Sequence, residues 1–289
     1  MAKSPSHTWG QIVGNIVERG VVPILSSIAS DYDLYLDSIG PRGARPGKKV
    51  TWTDRYGNKH DLDYVLERGG TEEVLGTPVG FVEVAWRRYT KHSKNKAQEI
   101  QGAVMPLVES FPERAPFMGA IIAGEFTSGA LDQLTSLGFD VLYFPYIKVV
   151  EAFRVVHIDA SFGEDTAVSE FEAKIEQWTS LSSKDQDSVV GALISLCRTE
   201  VDEFTAALRQ TIGRTVKSVL VLPLYGSALE FSSLAEARHF LNSGLPKVDK
   251  SGHAFERVEV QIRYSNGDKV EGAFGSSQDA SAFIDVVTG

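Results

Sequence analysis

Apolar residues recur at helical spacing from Thr8 to about Ile28, through Ile12, Ile16 and Val21, with Gly20 as a stop or kink. A polar stretch rich in Gly and Pro follows, through Lys48. The segment KVTWTD reads as a strand, RYGNKH holds a turn at Gly57-Asn58, and DLDYVLE reads as a strand again, so a hairpin is expected. Gly69-Gly70 breaks the chain before a further strand, GTPVGFVEVAW. Ser93 can cap a helix from about Lys94 to Val108, with Ala97, Ile100, Val104 and Leu107 on one face. The apolar run PFMGAIIAGEF predicts a buried strand. Leu131, Leu134 and Leu137 predict a helix ended by Gly138. FDVLYFPYIKVV reads as another buried strand. Helix, hairpin, strand, helix, strand, helix and strand predict an α/β layer sandwich around a mixed sheet.

The pattern changes beyond residue 150. Val168, Phe171, Ile175, Trp178 and Leu181 step by three and four, as do Val190, Leu193, Cys197, Val201, Phe204 and Leu208. Two amphipathic helices are expected, with Cys197 on an apolar stripe. The last 75 or so residues hold a short repeat. Phe231-Ser232-Ser233 leads to Ala237, Phe240 and Leu241, and Phe274-Gly275-Ser276 leads at the same offsets to Ala280, Phe283 and Ile284. Each copy follows strand-like sequence, the second with an Asn266-Gly267 turn, so a strand-then-helix unit used twice is expected. The domain boundary is placed near residue 155, with a core of 1–155 and a helical and C-terminal α+β region of 156–289.

Composition narrows the function classes. One cysteine among 289 residues excludes an internal disulfide framework and a multi-cysteine zinc site. No uninterrupted apolar run approaches the roughly 18 residues that span a bilayer. The first residues lack the apolar core of a signal peptide, so a cytoplasmic address is expected. Six histidines are scattered without ligand spacing, and neither a phosphate-cradling P-loop nor a G-x-S-x-G elbow is present. The net charge of −9 opposes indiscriminate polyanion binding. Nine of the 29 basic residues nevertheless sit in two acid-free segments, 40–49 and 86–96. These read either as local contacts for a polyanion or as solvated faces.

The chemistry concentrates in residues 61–101. Asp63 opens one strand and Glu83 lies in the middle of another, followed by a Ser-capped helix carrying Lys94, Lys96, Gln98 and Gln101. Two carboxylates on adjacent strands can converge on a hard divalent cation that keeps waters free for a phosphate. A carboxylate inside the apolar strand FVEVAW must be paired, metal-bound or on an open face. His60 and His92 flank this region.

In this order of elements the chain, over about residues 8–150, resembles the PD-(D/E)XK nuclease superfamily, to which most type II restriction endonucleases belong. Leu62-Asp63-Tyr64-Val65-Leu66 is similar to the family's Pro-Asp segment, with Leu in place of Pro. The resemblance implies a restriction-endonuclease-like core and a Mg²⁺-dependent, sequence-specific DNA endonuclease, with Mn²⁺ able to substitute. Asp63 and Glu83 would ligate the metal. The family's Lys, two residues beyond Glu83 on the same strand face, is here Ala85. Lys94 or Lys96 of the following helix would take its place, and Glu18 could add a third acid. Absence of the Lys leaves open a nuclease-fold subunit that binds DNA or assembles a complex without cutting.

Arg87, Arg88, Lys91 and Gln98 beside the site, and Arg42 and Arg45 in the 40–49 loop, are the candidate DNA contacts. Arg257, Gln261, Arg263 and Asn266 of the C-terminal hairpin are either base-reading groups or its solvent face. Cutting both strands implies a homodimer. The helices of 164–211 are its candidate interface unless they pack within the monomer.

Overall fold

The computed structural model describes residues 4–224, 227–245 and 255–288. The first helix, α1 (Pro5–Asp31), starts where Ser4 accepts the His7 N–H and Pro5 occupies the first helical turn. There follow β1 (Leu34–Ser38), β2 (Val50–Thr53), β3 (Lys59–Leu62), β4 (Tyr64–Arg68) and β5 (Thr77–Arg87). Next come α2 (Ser93–Val108), β6 (Phe117–Gly124), α3 (Ser128–Ser136), β7 (Asp140–Pro145) and α4 (Tyr146–Phe153). The helices α5 (Val168–Ser180), α6 (Ser183–Leu196) and α7 (Arg198–Ile212) lead to β8 (Val216–Pro223), β9 (Leu229–Phe231) and α8 (Leu234–Asn242). The chain ends with β10 (Val258–Tyr264), β11 (Lys269–Phe274) and α9 (Ser277–Thr288).

The architecture is α/β, with a mixed five-stranded sheet in the order β1-β4-β5-β6-β7 flanked by helices. The first three of those strands are antiparallel, and β5, β6 and β7 are parallel. The parallel strands are connected by α2 and α3, as parallel pairing requires. Their apolar runs make the densest part of the core: Phe81, Val82, Ala120, Ile121, Ile122, Ala123 and Phe144 are completely buried. By length and composition α1 is long and apolar enough to cross a membrane, which a count of uninterrupted apolar residues misses. Its Trp9, Val13, Ile16, Val17, Val21, Leu25 and Ile28 are instead buried within the protein.

The chain divides into two compact units, residues 1–109 with 117–209 and residues 110–116 with 210–289. The boundary expected at 155 therefore moves to about 209. The reason is packing: α5 and α6 lie on α1, and α6 also meets α4. Except for the exposed Val168, the apolar stripes of 164–211 thus pack largely within the first unit, where Phe204 meets Phe117 edge-on at 5.5 Å. The segment forms three helices rather than two, broken at Cys197, which is buried.

Other elements also depart from expectation. The hairpin is β2–β3, a separate two-stranded sheet, and the chain changes sheets at Asp63 to enter β4. Only Asp140–Pro145 of the last apolar run is strand; past Pro145 the chain coils into α4, which buries Val149, Val150, Ala152 and Phe153. β1 was hidden in a stretch read as polar, because its inward residue Asp37 is charged.

Asp37 belongs to a buried ionic cluster. Arg45 grips it with bonds of 2.9 and 3.0 Å, and Arg42 grips Glu67 with bonds of 2.6 and 3.0 Å. Arg42 also reaches Asp37 at 2.9 Å and donates to the Thr71 and Val74 carbonyls. These side chains are almost entirely enclosed.

The second unit, taken by itself, is a four-stranded sheet in the order β11-β10-β8-β9 with α8 and α9. The repeat is a structural one. In each copy the first Phe packs on the second, Phe231 on Phe240 at 5.3 Å and Phe274 on Phe283 at 5.1 Å. Ala237, Leu241, Ala280 and Ile284 occupy equivalent buried positions. Ser233 caps α8, and the Asp279 N–H bonds to Ser276 at the start of α9.

Candidate active site

Asp63 stands at the bend between β3 and β4, one residue before the Tyr64↔Val82 pair. Antiparallel register therefore sets it beside Glu83. Glu83 Oε1 accepts the backbone N–H of Asp63 at 3.0 Å, and Asp63 Oδ2 accepts that of Val84, the residue after Glu83, at 2.8 Å. Each carboxylate thus has one oxygen fixed. Glu83 is buried with only 6% exposure, whereas Asp63 opens to solvent on one side. The Glu83 N–H and C=O lie in a sheet that continues through Ala120 of β6, so its backbone cannot drift.

The electrostatics identify further members. Burial, then the Asp63 charge, pushes Glu83 up to about 8, against the pull of Lys96 and the Asp63 N–H. Enclosure of its carboxylate raises Asp63, opposed by the Val84 N–H and Lys96. Glu18, from the middle of α1, is raised by burial and by the charge of Asp63. Tyr64, pushed up to about 12 mainly by burial, also feels Glu18 and Asp63. Three acids from α1, the β3–β4 bend and β5 therefore share one field with a single lysine from α2. Ala85, where the family's Lys would stand, is buried on the same strand face as Glu83.

Lys96 is the lysine brought to the acids. Its side chain is 18% exposed and pairs with Glu99 at 3.3 Å. Lys94, two residues earlier on α2, is exposed and exerts no resolved influence on Asp63 or Glu83. Gln98 is exposed as well, and Gln101 accepts a bond from Gln133 at 2.9 Å.

Among the basic candidates, Arg42 and Arg45 are corrections. Both are locked in the buried cluster with Asp37 and Glu67, so neither guanidinium is available to a phosphate. Arg87 lies 3.7 Å from Glu99 and stays partly exposed. Arg88 donates to the Phe162 carbonyl and stacks 3.8 Å over Tyr146. Lys91 pairs with Glu164 at 2.7 Å. His60 is tied to Asp54 at 3.0 Å inside the β2–β3 turn, and the His92 side chain lies outside the described part. On the C-terminal hairpin, Arg257 pairs with Glu259, Gln261 donates to Glu271, Arg263 donates to Gln261, and Asn266 donates to Asp268.

The donor chemistry fits a small hard cation. Glu83 Oε2 and Asp63 Oδ1 have no hydrogen-bond partner among the described residues. Oxygen-only ligands and a local excess of acid over base favour Mg²⁺ or Mn²⁺ over a softer metal. Among the described residues no three His, Cys, Asp or Glu side chains form a ready-made metal cage.

No known protein-family model matches the chain, and no curated protein does. Among solved structures there is a likeness to a protein of unknown function, AF1548, at 11% identity, covering 68% of this chain and 98% of that one. Its TM-score of 0.30 is too low to carry an argument.

Proposed function

We propose that the protein is a divalent-metal-dependent DNA endonuclease of restriction type, with a restriction-endonuclease-like core formed by α1, β1, β4, β5, α2 and β6. The observation that carries this reading is the pairing of Asp63 and Glu83 across adjacent strands, Glu83 on the Asp63 N–H and Asp63 on the Val84 N–H, with Lys96 held in their field from the next helix. Asp63 and Glu83 would hold Mg²⁺, which when bound activates a water and stabilises negative charge at the phosphodiester. Lys96 supplies the positive charge that Ala85 cannot, and orients the incoming water beside the phosphate. Glu18 closes the α1 side of the cleft and adds to its pull on a cation. Arg87 remains the best-placed exposed cation for a flanking phosphate.

A second reading, a DNA-binding or assembly subunit that does not cut, is favoured by Ala85 alone. Supply of a lysine from α2 weighs against it. Purified protein is to be incubated with unmethylated plasmid and phage DNA in Mg²⁺ and in Mn²⁺, beside Asp63→Ala and Glu83→Ala. Fragments that vanish in both variants support the nuclease. Salt-sensitive binding without cleavage on any DNA supports the second reading. Absence of both binding and cleavage removes both.

A further inference from the structure

A cavity of about 640 Å³ opens beside the C-terminal end of β5, lined by the first two turns of α1, residues 86–89 and the 162–171 segment. Its wall is aromatic. Trp86, Phe162 and Phe171 line it, and Tyr146 behind them links the rings, with centroids 6.2, 6.2 and 5.3 Å apart along Trp86, Tyr146, Phe162 and Phe171. Arg88 fixes that wall by stacking on Tyr146 and bonding to the Phe162 carbonyl. Trp86 lines the cavity. Opposite the indole nitrogen stands Gly10 of α1. A Cβ there would sit 3.8 Å from Trp86 Nε1, an ordinary contact, so packing does not demand the glycine. A missing side chain that costs helix stability and relieves no clash leaves the cavity open.

The cavity and the acidic cleft share two elements. Gly10, Gly14 and Glu18 follow one another at i, i+4 and i+8 on one helix face. Along α1 the step from Gly10 to Glu18 is about 12 Å; on β5, Trp86 stands three residues past Glu83 and so on the opposite strand face, turned to Gly10 and Gly14 of α1. The step along α1 is about three nucleotide rises of a DNA strand.

We propose that this cavity receives a single unstacked nucleobase of the bound DNA, a few nucleotides from the phosphate held at the acidic cleft. Flat π-surfaces suit any base face, and the Trp86 N–H offers one donor to a base acceptor. Arg88, the lining cation beside the rings, is held by the Phe162 carbonyl and the Tyr146 ring, so the cavity offers an aromatic face rather than a bare phosphate site. This inference rests on the nucleic-acid reading above.

The test compares two duplexes of one sequence, one fully paired and one with a single mismatched 2-aminopurine, in Ca²⁺ to suppress cleavage. The full-length protein should bind the mismatched duplex at least about 10-fold more tightly, because that base is already unpaired. Gly10→Leu should fill the cavity and abolish the preference, with wild-type circular dichroism showing that it folds. Trp86→Phe, which keeps a ring and removes the donor, should lower the preference. Equal binding of both duplexes by the wild type, or a preference that survives Gly10→Leu, overturns the base pocket and leaves the nuclease reading standing. Binding of neither duplex overturns both.

Discussion

At the scale of single residues, the site is defined by which charges are held against their preference. Glu83 is pushed up to about 8 from the usual carboxylate value of 4.5, first by burial and then by Asp63. The unfolded chain loses that proton near pH 4.5, while the folded chain keeps it until about pH 8. Folding therefore binds a proton in that window, and the contribution of Glu83 to stability falls as pH rises through it. Glu83→Gln, whose amide oxygen can still accept the Asp63 N–H, should raise Tm at pH 8.5 and leave it nearly unchanged at pH 4.5. Equal shifts at the two pH values would contradict this. Lys96→Ala should lower DNA cleavage by about 100-fold or more, the usual scale for losing a positioned group that stabilises transition-state charge. Lys94→Ala should change it little. Single-turnover rates on one plasmid separate the two lysines.

At the scale of elements, the chain announced its helices and the strands of the sheet centre more clearly than its edges. The strand around Glu83 and the helix after Ser93 were legible because apolar positions there follow a single period, and the observed bounds are Thr77–Arg87 and Ser93–Val108. The edge strand β1 was not, because Asp37 occupies a core position that only Arg42 and Arg45 make tolerable. The same fact removed those arginines from the DNA contacts: a Pro/Gly-rich basic loop looks solvated until its buried acidic partners are known. Asp63 and Glu83 could be paired from strand order alone, whereas the choice between Lys94 and Lys96 needed the rotation of α2. Removing one partner of the buried cluster should be costly. Arg42→Met would leave Glu67 without its guanidinium and destabilise the protein by about 3–5 kcal/mol. Urea unfolding at neutral pH checks this, and a loss below about 1 kcal/mol would contradict it. Gly124 holds φ +105° where β6 passes Arg87 of β5, and a Cβ there would run into the Arg87 carbonyl oxygen. Gly124→Ala should destabilise by at least about 1–3 kcal/mol, visible in the same titration.

At the scale of the whole molecule, an acidic chain carries its acid excess partly into a cleft that wants a cation. The repeat in the second unit was readable from residue offsets alone, because each copy buries the same Ala and aliphatic pair under a Phe–Phe contact. The unit boundary was not readable, since nothing in the apolar stripes of 164–211 says which surface they cover. The function of the cleft turns on whether it binds a cation. Calorimetric titration of Mn²⁺ into the wild type, Asp63→Ala and Glu83→Gln needs no knowledge of the DNA sequence recognised. The prediction is one ion per chain, bound more tightly as pH rises from 6 to 8 and with proton release below pH 8, since the carboxyls must ionise to bind it. Binding should be lost in both variants. No saturable binding by the wild type, or the same affinity in both variants, would contradict the assignment of Asp63 and Glu83 as the metal pair.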